Sequence, residues 1–97
     1  MPELRFEWDA QKAAANLAKH GVAFAEALTA FSDDTGFVLE DPDHSADEAR
    51  FILLGLSAEL RVLVVVHCLR EAGQVIRLIS ARRANRRERE QYKARNS

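Results

Sequence analysis

The chain has 97 residues, a formal net charge of -1 and a hydrophobic share of 47%. That is enough chain for one domain, expected over residues 1–97, with one core and a thin margin, because small domains bury a smaller fraction of their surface. No apolar run approaches the roughly 18 residues of a membrane helix, and Met1-Pro2-Glu3 lacks the basic-then-apolar opening of a secretory signal. Cys68 is the only cysteine, so no internal disulfide forms; a buried thiol in a reducing cytoplasm is the simple reading, with a nucleophilic thiol as the other.

In chain order, Leu4 to Trp8 alternates apolar and charged residues, the pattern of a half-buried strand. Asp9 is placed to cap the helix that follows, Ala10 to Lys19, with Ala13, Leu17 and His20 expected on one side and Gly21 at the left-handed end position. Phe24, Leu28 and Phe31 recur at helical spacing and predict a second helix over Phe24 to Phe31 packed on a sheet. Ser32 to Gly36 is turn chemistry, Phe37-Val38-Leu39 a short strand, and Asp41 to Ser45 a loop around Pro42. Arg50–Leu56, Arg61–Leu69 and Val75–Ile79 read as three strands joined by short hairpin connections. Arg83 to Arg95 lacks Gly, Pro and β-branched residues and predicts a final helix whose one large apolar residue is Tyr92.

The order β-α-α-β-β-β-β-α separates helices from consecutive strands and predicts an α+β fold. Two N-terminal helices are expected on one face of an antiparallel sheet, leaving the other face for a ligand or partner. The expected core is Phe6, Trp8, Leu17, Phe24, Leu28, Phe31 and Val64.

Charge is unevenly placed. Residues 1–60 hold 12 acidic and 4 basic side chains, whereas residues 81–97 hold 7 basic and 2 acidic. A basic end of this kind favours phosphate or an acidic partner; a solvated helix face is the alternative. Phosphate-binding glycine loops, paired cysteines and the common hydrolase motifs are absent from the sequence, and the three histidines are widely spaced, so no metal site is predicted. What stands out is arginine on or beside the last three strands: Arg50, Arg61, Arg70, Arg77, Arg82 and Arg83. A guanidinium holds phosphate through two parallel hydrogen bonds and stays charged at working pH. Several converging on one sheet face would grip an RNA backbone and stabilise charge on a scissile phosphate, while the RNA supplies its own nucleophile, the 2′-OH. The other reading makes them edge and surface residues. His44, His67 and Tyr92 are the candidate proton carriers.

Many segments, in order, resemble the BrnT toxin family. They begin with Phe6-Glu7-Trp8-Asp9 with Lys12 and Asn16, then Lys19-His20-Gly21-Val22 with Phe24, Glu26, Ala27 and Phe31. They continue with Asp41-Pro42-Asp43-His44-Ser45, Glu48, Arg50-Phe51, Gly55-Leu56-Ser57 and Arg61 to Val65. They end with Ile76 to Ala84, Glu88-Arg89 and Tyr92. The resemblance implies a RelE-like fold and a metal-independent, cofactor-free endoribonuclease that arrests growth in the cytoplasm. It also implies a cognate BrnA-like antitoxin, which carries the operator-DNA binding and is expected in a heterotetramer of two toxins and two antitoxins. Leu60 departs from the family's frequent glycine before the arginine and is expected to change the hairpin turn type. The candidate catalytic residues are Arg50, Arg77, Arg82 and Tyr92, with Arg61, Arg70, Arg83 and His67 as RNA-binding candidates. The RelE-like fold also carries toxins that inhibit DNA gyrase without cutting RNA, so a non-catalytic inhibitor of a protein target is the competing function, and an accessory module without activity a third.

Overall fold

The computed structural model describes residues 4–41 and 49–96. Strand β1 (Arg5–Glu7) is followed by helix α1 (Ala10–His20), helix α2 (Phe24–Thr29) and a single 3-10 turn, Ala30–Ser32. Strands β2 (Phe37–Glu40), β3 (Arg50–Leu56), β4 (Val62–Arg70) and β5 (Val75–Arg83) follow, and helix α3 (Arg86–Arg95) closes the chain. The predicted loop with His44 lies outside the described residues.

The strands form one sheet in the order β1-β5-β4-β3-β2. The sheet is mixed, not purely antiparallel as expected: β2 to β5 pair antiparallel, but β1 runs parallel to β5, with Glu7 opposite Arg77. The cause is the chain path. After β1 the two helices cross one face and deliver the chain to the far edge, so β5 returns beside β1 in the same direction.

Asp9 caps α1 by accepting from the N–H groups of Gln11 (2.8 Å) and Lys12 (3.1 Å), and Gly21 ends it at φ 70°, a conformation that costs glycine little. The inward face of α1 differs from the expectation. Leu17 is 51% exposed and Asn16 is buried. Asn16 turns inward because its amide replaces a missing strand: it donates to the Ala81 carbonyl at 2.8 Å and accepts from the Ala81 N–H at 3.1 Å. Beyond Arg77, β5 has no strand on that side, and its edge groups need such a partner.

Alternation splits the sheet into two apolar clusters. Leu53, Leu63, Val65, Ile76, Leu78 and Ala81 meet Val22, Phe24, Ala27 and Ala30, with Phe6, Trp8, Leu28 and Phe31 around them. Gly55 sits where a Cβ would come within 2.9 Å of the Ala30 carbonyl oxygen, so the sheet meets the 3-10 turn only through glycine. On the opposite face Leu54, Val64 and Ala84 pack with Phe37, Ile52, Val62 and Tyr92. Val64 is thus a core residue of that second cluster, and the second face is not left wholly open, because α3 covers one end of it through Tyr92.

Leu60 keeps φ 64°. The Leu60 N–H donates to the Ser57 carbonyl at 2.9 Å, a turn followed by a left-handed residue where glycine is the easy choice. Leu60 therefore holds a conformation that glycine would adopt at less cost.

Candidate functional site

The face opposite α1 and α2 is where the arginines gather, and strand register shows how. Cys68, in the central strand β4, has Arg50 of β3 on one side and Arg77 of β5 on the other. Directly opposed residues share a face, so Arg50, Cys68 and Arg77 form one row. Two strand spacings, about 9–10 Å, separate the outer two backbones. Cys68 itself is 1% exposed.

Arg77 and Arg82 are an odd number of residues apart, so a regular strand would send them to opposite faces. A bulge prevents this. Val66 pairs with Ser80 and His67 with Leu78, which leaves Ile79 as the extra residue. Ser80 and Arg82 then share the face of Arg77, and Arg82 lies opposite Val64.

Arg77, Arg70 and Arg82 each face a carboxylate. Arg77 donates to Glu7 Oε2 at 2.7 Å, and Arg70 approaches the same oxygen at 3.8 Å. Glu7 thereby joins two arginines at the open end of the face, and its hydrogen bond is the main cause that raises the Arg77 pKa. Arg82 makes a bidentate pair with Glu88 of α3, at 2.8 and 2.9 Å. Glu88 is also the return half of a capping box: it accepts from the Asn85 N–H at 2.9 Å while Asn85 accepts from the Glu88 N–H at 2.8 Å. Arg82 is the first cause that holds the Glu88 carboxyl below its ordinary value.

Tyr92 is anchored at the far end of α3. Its hydroxyl donates to Asp33 Oδ2 at 2.5 Å and lies 2.8 Å from the Thr35 hydroxyl. Burial alone would raise the Asp33 carboxyl, but hydrogen bonds from Tyr92, the Leu56 N–H and Thr35 outweigh it and hold it at about 2. Burial, then Asp33, pushes the Tyr92 hydroxyl up. These bonds tie Tyr92, and with it α3, to the turn that holds Asp33 and Thr35. One turn later the Arg95 guanidinium sits 4.3 Å over the Phe37 ring, a cation–π contact on the same cluster.

Three of the RNA-binding candidates lie on the helix side of the sheet, away from the arginine row. His67 is 3% exposed, edge-on to Phe31 at 4.9 Å between centroids, and burial lowers its pKa. It is a core residue and is not placed to touch RNA, because β4 alternation turns it toward the helices. Arg61 forms an ion pair with Glu26 of α2, which also accepts from the Ser57 hydroxyl at 2.7 Å. It buttresses the hairpin, away from the arginine row. Arg83 is exposed at the end of β5, opposite Leu63 and so on the helix side. Sequence reasoning missed Glu7, Glu88 and Asp33. The spacing Asn85-x-x-Glu88 is a cap signature legible in the sequence; the parallel β1–β5 pairing that delivers Glu7 leaves no local trace.

Among the described residues no group of three or more His, Cys, Asp or Glu is arranged to hold a metal ion, and no helix is long and apolar enough to cross a membrane.

The family model for the ribonuclease toxin BrnT of type II toxin–antitoxin systems matches residues 8–88. No curated protein matches. Among solved structures, the crystal structure of the Brucella abortus ribonuclease toxin BrnT is similar at 26% sequence identity with a TM-score of 0.62, over 86% of this chain and 99% of that one. With a mixed sheet, three helices and a family match from Trp8 to Glu88, the chain belongs to the BrnT family of ribonuclease toxins of type II toxin–antitoxin systems.

Proposed function

We propose that the protein is a metal-independent endoribonuclease acting in the cytoplasm, folded as one RelE-like domain, and that the arginine face is its active site. The supporting observation is the Arg50–Cys68–Arg77 row, with the Ile79 bulge bringing Arg82 to the same face. The 2′-OH of RNA attacks the adjacent phosphorus, the bond from phosphorus to the 5′-oxygen breaks, and that oxygen takes a proton from water, giving a 2′,3′-cyclic phosphate and a 5′-hydroxyl. Arg50 and Arg77, with Arg70 beside them, hold the phosphate oxygens and stabilise the charge that grows on them. Glu7, bonded to Arg77, is the carboxylate on hand to accept the 2′-OH proton. Arg82 binds a flanking phosphate and Tyr92 holds α3 in position.

The test is purified protein with RNA in excess EDTA. Cleavage that persists and yields cyclic or 3′-phosphate ends supports the reading. Cleavage lost in EDTA and restored by a divalent cation, or no cleavage at concentrations that arrest growth, rejects it.

The type II family implies an antitoxin. We place it, as a BrnA-like chain, over the arginine face in an assembly of two toxins and two antitoxins, acidic where it touches and carrying the operator-DNA binding itself. Slower association at higher salt and slowed hydrogen exchange across residues 83–95 in the complex would support this placement. An antitoxin touching only the first 30 residues would refute it.

A further inference from the structure

The arginine face stops at a carboxylate-rich boundary, but positive charge continues around the sheet edge. β1 ends at Glu7, opposite Arg77, and from Leu78 onward β5 has no strand beside it on that side. A cleft opens there between α1 and β5, lined by Lys12, Asn16, Lys19, His20, Ile79 and Ser80 among others. Lys12, Asn16 and Lys19 share one helix face, since positions four and seven apart recur on the same side. The two lysines are about 10 Å apart along the axis at 1.5 Å per residue.

The cleft differs from the arginine row in two ways. Lys12 and Lys19 are exposed, and neither forms an ion pair with a described carboxylate. Asn16 spends its amide on Val22 and Ala81, so it is a wall, and the lysines with His20 are the groups left to meet a ligand. The cleft is also continuous with the proposed active face. Ser80 lines it and, past the Ile79 bulge, shares the face of Arg77 and Arg82. At its other end the α1 cap Asp9 interacts electrostatically with Arg77.

We propose that this cleft is a track for the phosphate backbone of single-stranded RNA, in which Lys12 and Lys19, with His20, hold nucleotides flanking the one cleaved at the arginine face. The assignment rests on the ribonuclease reading and adds the path of the substrate. The occupant is a polyanion because the unpaired groups are cations on flexible stems around a shallow edge, with no large apolar side chain but Ile79 to seat a protein helix. Lysine gives a point charge that tolerates any base, which suits backbone tracking more than sequence readout.

The experiment uses the intact protein and a fluorescent 2′-O-methyl oligoribonucleotide, which binds but has no free 2′-OH to attack. In K12Q/K19Q, Kd should rise about tenfold, and the salt dependence of log Kd should become shallower by about 1.4, since each of the two lost single-strand phosphate contacts removes about 0.7. With cleavable RNA, KM should rise and kcat stay within about twofold, because only uniform binding is lost. K12R/K19R should behave as wild type, and both variants should melt with it, since the side chains are exposed. An unchanged Kd and salt slope in a protein that still cuts RNA overturns the track alone. So does a fall in kcat at unchanged KM, or a loss of antitoxin affinity with RNA binding intact. A wild-type protein that neither binds nor cuts RNA removes the ribonuclease reading and the track together.

Discussion

Arg77 and Arg82 lie on one strand and one sheet face, yet the two ends of that face are built differently. At the Arg77 end the partner is Glu7 on a neighbouring strand, no described helix lies above, and Arg50 and Arg70 are close by. At the Arg82 end the partner is Glu88, itself part of a helix cap, and α3 runs from there to Tyr92, Asp33 and Phe37. The same side chain thus pairs with a neighbouring strand at one end and with a helix at the other. Proximity to the arginine cluster does not by itself make a residue chemical, and substitutions should separate rate from stability along a single strand.

The largest expected effect is on rate. Arg77→Ala should lower kcat by about 100-fold or more, the scale of removing one preorganised charge from a developing oxyanion, while the melting temperature falls by no more than a few degrees, because part-exposed ion pairs contribute about 1 kcal/mol or less. Arg82→Ala should lower activity and stability together. Turnover assays and thermal melts on both proteins check this. If Arg77→Ala unfolds the protein and Arg82→Ala leaves it intact, the two ends have been assigned the wrong way round.

Next is the anchor. Tyr92→Ala removes the α3 aromatic from its cluster with Leu54 and Phe37 and takes one of the donors from Asp33. The loss should be about 2–3 kcal/mol, combining a part-buried aromatic with a charge-assisted hydrogen bond, or more than 10 °C in melting temperature at about 4–8 °C per kcal/mol. Tyr92→Phe should lose less stability and keep kcat within about threefold, since a positioning residue needs its ring more than its proton. A fall in kcat of about 100-fold in a stable Tyr92→Phe protein would restore Tyr92 as the acid.

How far the sequence revealed all this depends on the range of the interaction. The elements were legible because they are local: Asp9 and Gly21 bracket α1, and branched aliphatics mark β4. The arginines were legible as a type. Their sides were not, because one unpaired residue, Ile79, reverses the alternation of everything after it in β5. Leu17 was misplaced because an edge carbonyl and N–H at Ala81 reward an inward asparagine more than a leucine. Glu7 went unread because a parallel pair joins residues 70 positions apart. The BrnT resemblance read from the ordered segments is borne out by the family match over residues 8–88, whereas the parallel β1–β5 pair was not legible.

Acid should loosen the α3 end first. The Asp33 carboxyl is held at about 2, below an unfolded value of about 3.9. A carboxyl depressed on folding adds stability that is complete above its unfolded pKa and is lost as pH falls toward the folded one. About 2 kcal/mol should therefore disappear between pH 4 and pH 2. Asp33→Asn should flatten that part of the stability curve while lowering stability at pH 7. An unchanged acid limb in Asp33→Asn would mean that other carboxyls set it.

The smallest effect isolates the clamp itself. Glu88→Gln keeps an oxygen for the Asn85 N–H, so the capping box survives, but it removes the charge facing Arg82. The pair is part-exposed, at 41% and 22% of side-chain surface, so the loss should be about 1 kcal/mol or less, a few degrees of melting temperature. Arg82, no longer neutralised, should then meet phosphate more strongly, and affinity for a non-cleavable RNA should rise by about two- to threefold as α3 loosens slightly. Glu7→Gln, the matching change at the open end, should also free a guanidinium but should cost turnover, because there the carboxylate takes the proton. Opposite signs on activity from two equivalent charge removals follow only if one end of the face binds the helix and the other does the chemistry. If both variants gain affinity and keep full kcat, Glu7 is a clamp like Glu88 and the proton acceptor lies elsewhere.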